Sequence, residues 1–91
     1  MKFRITRHAT GSPPDDAIDL LTDRIGKRRE DVQFARVGGE LRANLNRDEP
    51  VAMTQDDRTE VGRRAVLQIV EDVCERAPEL TLDWYAVSPS R

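Results

Sequence analysis

A pair of glycines between two alternating segments constrains the fold more than any other feature of this sequence. Gly38-Gly39 separates residues 32–37 (VQFARV) from residues 40–45 (ELRANL). A two-residue glycine loop between such segments is typical of a β-hairpin. The cross-strand pairs that this loop predicts are Val37–Glu40, Phe34–Ala43 and Val32–Leu45. In this register the apolar side chains of both strands lie on one face, whereas a shift of one residue would separate them.

A strand and a helix are predicted before the hairpin. Apolar and polar residues alternate over residues 2–8, which indicates a half-buried strand. Ser12 and Pro13 suit the N-cap and first position of a helix, and Gly26 suits its end. The helix between them carries an apolar stripe of Ile18, Leu21 and Ile25.

A long helix and a last strand are predicted after the hairpin. Thr54 and Asp57 have the spacing of a capping box, so a helix is expected over residues 55–76. Alternation over residues 80–87 then predicts a strand with Leu82 and Trp84 facing the core.

The order βαββαβ predicts an α+β fold in which a single antiparallel four-stranded sheet carries two helices on one face. Right-handed crossovers produce this ferredoxin-like arrangement, with strand order 4-1-3-2. A variant would add a short strand near residues 51–53, where Val51 and Met53 alternate. One domain is expected over residues 1–87, followed by a flexible tail at 88–91.

Composition and the lack of targeting features limit the partners and location. The net charge of −2 provides no general attraction to nucleic acid or anionic membrane. The N-terminal residues lack a signal-peptide pattern, and no apolar run could span a bilayer, so a cytoplasmic protein without membrane partners is expected. The single cysteine, Cys74, is interpreted as a buried small side chain. No cofactor or metal motif is present, so none is predicted.

The sheet face left uncovered by helices is the candidate binding surface. Its predicted members are Lys2, Arg4, Thr6, Arg42, Asn44, Tyr85 and Val87. This mixture of basic, polar and apolar side chains has the intermediate polarity of a non-obligate protein interface.

Three function classes remain open, and the first is favoured. The first is a non-enzymatic interaction module that uses the open sheet and edge strands for self-association or for a protein partner. The second is a domain that binds RNA or DNA on a weakly basic sheet, although the central strands offer no outward aromatic residue. The third is a small hydrolase centred on His8, close in sequence to Ser12 and Asp15. Such residues are also common at strand ends and helix caps.

Overall fold

The computed structural model describes residues 1–46 and 53–90, which form one five-stranded antiparallel sheet and two α-helices. In chain order the strands and α-helices are β1 (Lys2–Arg7), α1 (Ala17–Ile25), β2 (Arg28–Arg29), β3 (Val32–Val37), β4 (Glu40–Leu45), α2 (Gln55–Arg76) and β5 (Tyr85–Pro89). Two short 3-10 helices, Ala9–Gly11 and Leu82–Trp84, follow β1 and precede β5. The strands lie side by side in the order β2-β3-β4-β1-β5.

The hairpin of β3 and β4 has the predicted register. Val37 pairs with Glu40, Phe34 with Ala43 and Val32 with Leu45. Gly38 adopts a φ of +59°, which glycine accepts without the steric penalty that a side chain would add. The prediction from turn chemistry and alternation is confirmed here.

The predicted class is also confirmed, but the sheet has five strands instead of four. Glu30 adopts a left-handed φ of 53° and turns the chain back, so that Arg28 pairs with Gln33 and Arg29 with Val32. This places β2 at the edge beside β3. The variant strand near residues 51–53 begins outside the described residues, and Met53 lies in a bend.

Both α-helices pack on the same face of the sheet and form one hydrophobic core with it. The strands contribute Phe3, Ile5, Val32, Leu41, Ala43 and Val87, and the helices contribute Ile18, Leu21, Val66 and Val70, among others. Full burial of a Val, Leu, Ile or Phe side chain contributes about 1.5–3 kcal/mol to the stability of the fold. None of the helices within the described residues is long and apolar enough to cross a membrane.

The helix α1 begins later than predicted. Its N-cap is Asp16, and Ser12 instead closes the first 3-10 helix with a left-handed φ of 51°. Two prolines follow Ser12, and the α-helical conformation is disfavoured for a residue that precedes proline. The helix therefore starts only after the second proline. The predicted end is confirmed, since Gly26 has a φ of 79° and forms the C-cap.

The helix α2 has the predicted start and packs closely on β1. The Asp57 backbone N–H donates to Thr54 Oγ1 over 3.1 Å, which confirms the predicted cap. Gly62 is buried where a Cβ atom would lie 2.7 Å from Phe3 Cζ. The missing side chain therefore lets the helix approach the sheet closely.

The last strand starts later than predicted. The residues predicted to face outward, Tyr85 and Val87, face the core. The alternation from Leu80 is interrupted by the 3-10 helix, so β5 starts at Tyr85. Val87 pairs with Ile5 and shares its buried face. Trp84 is only half-buried at the margin of the core. The strand also includes Ser88 and Pro89, where the sequence pattern predicts the start of a tail.

We expect Gly11→Ala to destabilise the protein by at least about 1–3 kcal/mol, because overpacking against backbone cannot be relieved by a side-chain rotation. A Cβ at Gly11 would overlap the backbone carbonyl of Asp83 in the second 3-10 helix. Gly39→Ala is the matched control, since a Cβ there has no neighbour within 4 Å among the described residues. Urea unfolding measures both, and equal stabilities would contradict the close approach of the two 3-10 helices.

Candidate binding surface on the open sheet face

The sheet face opposite the two helices carries the strand residues that alternate with the core, and we call it the open face. Its members are Arg28 of β2, Gln33, Ala35 and Val37 of β3, Glu40, Arg42 and Asn44 of β4, Lys2, Arg4 and Thr6 of β1, and Ala86 and Ser88 of β5. Their positions follow from the pairing registers, because directly opposed residues share a face.

Five of the seven predicted surface residues lie together on the open face. Lys2 is paired with Asn44, and Arg4 is paired with Arg42. Thr6 follows on the same face of β1 and is half-buried. The two central strands therefore bring these side chains together, as the hairpin register and the alternation of β1 predict.

Tyr85 and Val87 are not part of the open face, and their predicted placement there is wrong. Both face the core, with only 5% and 8% of their surface exposed. The hydroxyl of Tyr85 donates a buried hydrogen bond of 2.7 Å to the backbone carbonyl of Ala17. Burial raises the pKa of Tyr85, and the nearby Cys74 and Asp16 add to this shift. The side chain therefore remains a protonated donor that ties β5 to α1.

Three members of the open face differ from the sequence prediction: Arg28, Ala86 and Ser88. Ala86 pairs with Thr6, although the alternation with Leu82 and Trp84 predicts that it faces the core. Arg28 belongs to a basic run that is predicted to follow a helix end, but β2 places it opposite Gln33. The sequence predicts that Ser88 begins the tail, but Ser88 pairs with Arg4, and Arg4 Nε donates to Ser88 Oγ over 3.3 Å. A two-residue strand and a strand start set by a 3-10 helix leave no alternation by which Arg28 or Ser88 could be recognised.

Two like charges on the open face, Arg4 and Arg42, are directly opposed in the pairing of β1 with β4. Met1 and Leu45 exchange both backbone hydrogen bonds, Met1 N to Leu45 O at 3.2 Å and Leu45 N to Met1 O at 2.8 Å. Pairs in an antiparallel ladder alternate, so Arg4–Arg42 is a non-hydrogen-bonded pair, where Cα atoms are about 4.5 Å apart and side chains are nearest. Like charges in this position destabilise a sheet.

The open face is basic although the whole chain is acidic. Its described strand residues include four cations, Lys2, Arg4, Arg28 and Arg42, and one acid, Glu40, which leaves a net charge of +3 against −2 for the chain. Glu40 Oε2 lies 3.3 Å from Arg42 Nε and partly neutralises it. The face therefore attracts anions more strongly than the overall charge suggests.

Two shallow depressions mark the open face. One, of about 540 Å³, lies over β3 and β4, with Ala35 and Val37 among its apolar residues and Arg28 and Lys2 among its basic ones. The other, of about 480 Å³, is lined by Arg4, Glu40, Arg42, Pro89 and Ser90. Arg42 borders both depressions, and Arg4 borders the second.

The other basic clusters in the sequence are engaged within the fold. Glu60 accepts hydrogen bonds from Arg63 at 2.8 Å and Arg64 at 3.1 Å on α2, and these contacts lower the pKa of Glu60 to about 2. Arg29 donates to the backbone carbonyl of Ile25 over 2.7 Å, at the end of α1. These contacts are typical of solvated helix faces and helix ends.

The His8 region does not assemble the groups that the enzyme hypothesis proposed. Asp15 pairs with Arg7 at 3.4 Å, and Ser12 closes the first 3-10 helix. His8 instead lies with Asp83 along a cleft of about 410 Å³ between the two 3-10 helices. The Tyr85 hydroxyl near this cleft is occupied by the Ala17 carbonyl.

Tyr85→Phe removes a buried hydrogen bond but keeps the packing of the ring, and we expect it to destabilise the protein by about 1 kcal/mol. Thr59→Ala is the control, since its hydroxyl donates to Gln55 O over 2.9 Å at an exposed site, where a change within about 0.5 kcal/mol is expected. Equal effects of the two substitutions in urea unfolding would contradict the buried contact.

The raised pKa of Tyr85 predicts a loss of stability at alkaline pH. The folded state holds the Tyr85 proton more tightly than the unfolded chain, whose tyrosine pKa is about 10. The contribution is therefore complete below about pH 10 and declines as the pH rises above that value. The decline between pH 9.5 and 11.5 should be shallower in Tyr85→Phe, and an identical decline would contradict the raised pKa.

Among residues 1–46 and 53–90 there is no group of three or more His, Cys, Asp or Glu side chains that could hold a metal ion. Comparisons with protein-family models, with curated proteins and with solved structures find no significant match.

Proposed function

We propose that this domain is a non-enzymatic interaction module that binds an acidic protein partner on its open face. The observation that carries the proposal is the directly opposed pair Arg4–Arg42 at the centre of a basic face. Like charges at such a pair weaken the sheet, so the fold itself does not benefit from them. An anionic group placed between the two guanidinium groups would turn this repulsion into two attractive contacts.

A protein partner is favoured over nucleic acid by the side chains around the pair. Binding of single-stranded nucleic acid relies on aromatic side chains that stack with bases, and none of the described strand residues of the open face is aromatic. Tyr85 faces the core, which removes the candidate that the sequence suggested. Val37 is 46% exposed beside Ala35, which supplies an apolar patch of the kind that protein interfaces cover.

Self-association through the open face is less favoured than a foreign partner. Two copies packed face to face would bring their Arg4–Arg42 pairs together, which repels. The sheet edges also offer little for strand pairing, since β2 has two residues and Pro89 in β5 lacks a backbone N–H. An acidic surface on another protein meets neither obstacle.

The architecture supports this placement, and we propose that it is a ferredoxin-like arrangement extended by β2. The four longer strands lie in the order β3-β4-β1-β5, and α1 and α2 contribute to the core on one face. In such an arrangement the opposite face is available to a partner.

Titration with a glutamate-rich peptide tests the proposal. At low salt we expect amide NMR shifts on Lys2, Arg4, Arg42 and Asn44, and at least a fivefold weaker affinity in Arg4→Ala and in Arg42→Ala. Arg64→Ala on α2 is the control and should bind as the parent does. Shifts that avoid the open face would contradict the proposal. If a single-stranded oligonucleotide of equal charge binds more tightly than the peptide, the partner is nucleic acid and not an acidic protein.

The role of Arg4 in binding should be separable from any role in the stability of the fold. Arg4→Gln removes one of the two opposed charges, so we expect the free energy of unfolding to remain within about 0.5 kcal/mol or to increase by up to about 1 kcal/mol. Urea unfolding at low salt provides the measurement. A loss above about 1 kcal/mol would mean that Arg4 is part of the structural framework and not a binding residue.

A further inference from the structure

We propose that the group recognised at the Arg4–Arg42 pair is a phosphate monoester carried by the protein partner, such as a phosphorylated serine. This inference rests on the proposed function and adds the chemistry of the partner. Tetrahedral phosphate differs from carboxylate in having three terminal oxygens and up to two negative charges. The open face matches both properties.

The geometry suits an oxyanion that is bound by two guanidinium groups at once. Arg4 and Arg42 border the same depression, which also includes Pro89 and Ser90. As a non-hydrogen-bonded pair they have the shortest cross-strand separation that a sheet provides, about 4.5 Å between Cα atoms. A carboxylate offers two oxygens to the two guanidinium groups, whereas a phosphate monoester offers three terminal oxygens and a larger charge, so more of the arginine N–H groups find an acceptor.

Both arginines have a polar contact at Nε. Arg4 Nε donates to Ser88 Oγ over 3.3 Å, and Arg42 Nε lies 3.3 Å from Glu40 Oε2. An arginine carries five N–H donors, and four of them are on the two Nη atoms. Contacts at Nε therefore restrict the side chains while Nη donors serve an incoming anion, which lowers the entropy lost on binding.

The local charge matches a dianion. Lys2 lies two residues from Arg4 on the same strand and lines the neighbouring depression that Arg42 also borders. Three cations and one acid, Glu40, therefore lie at or beside the site and leave a net charge of +2. A phosphoserine carries about −1.5 to −2 charges at pH 7 because its second pKa is about 6. A single carboxylate would leave excess positive charge on the face.

The experiment compares two small probes, N-acetyl-phosphoserine amide and N-acetyl-glutamate amide, by NMR titration at constant ionic strength. At pH 7.5 we expect phosphoserine to bind at least tenfold more tightly and to shift the Nε–H signals of Arg4 and Arg42. At pH 5 its affinity should fall about tenfold, because only about a tenth of it remains a dianion. Inorganic sulfate, a dianion at both pH values, should bind equally at both, which controls for titration of the protein.

Arg42→Lys separates geometry from charge, because lysine keeps the charge and loses the fork. We expect it to weaken phosphoserine binding at least fivefold and glutamate binding by a smaller factor, whereas Arg64→Lys should change neither. Equal affinity of the parent protein for both probes would overturn the phosphate assignment. The acidic-partner proposal would then still stand if the glutamate-rich peptide binds the open face.

Two other outcomes are equally decisive. If neither probe nor the glutamate-rich peptide produces shifts on the open face, both this inference and the proposed function fail together. If a phosphodiester dinucleotide binds more tightly than phosphoserine and shifts the same arginine signals, the phosphate comes from nucleic acid and the assignment to a modified protein is overturned.

Discussion

The register of the hairpin β3–β4 is the constraint on which the other features of the structure depend. Pairing of Val32 with Leu45 and of Phe34 with Ala43 directs one set of side chains to the helices. The same parity directs Arg42 to the opposite face, where β1 places Arg4 against it. A shift by one residue would bury Arg42 and expose Leu41, so the core and the basic face are set by the same backbone hydrogen bonds.

Local signals that act between near neighbours were readable from sequence. The glycine loop at Gly38, the alternation of β1 and the cap formed by Thr54 each depend on a few consecutive residues, and each is confirmed. Five of the seven surface residues follow from these elements, because parity along a regular strand is preserved over its whole length. The central part of the open face was therefore predictable.

The remaining differences between prediction and structure arise where irregular backbone changes which alternate residues of a strand face the core. The 3-10 helix before β5 restarts the alternation at Tyr85, and the left-handed Glu30 turns the chain to create β2. Neither has a side-chain pattern that distinguishes it from ordinary strand or loop residues. The consequences extend to function, because the inward Tyr85 removes an aromatic from the open face while β2 adds Arg28. The surface is thus more basic and less apolar than the sequence suggested.

A double-mutant cycle on Arg4 and Arg42, read out by binding of the glutamate-rich peptide, tests the central claim most directly. If one anionic group is bound by both arginines, either substitution to alanine disrupts the shared site. The double variant should then lose little more affinity than each single variant, with a coupling energy of about 0.5–3 kcal/mol. Additive losses would show that the two arginines act independently and would contradict a shared anion site on the open face.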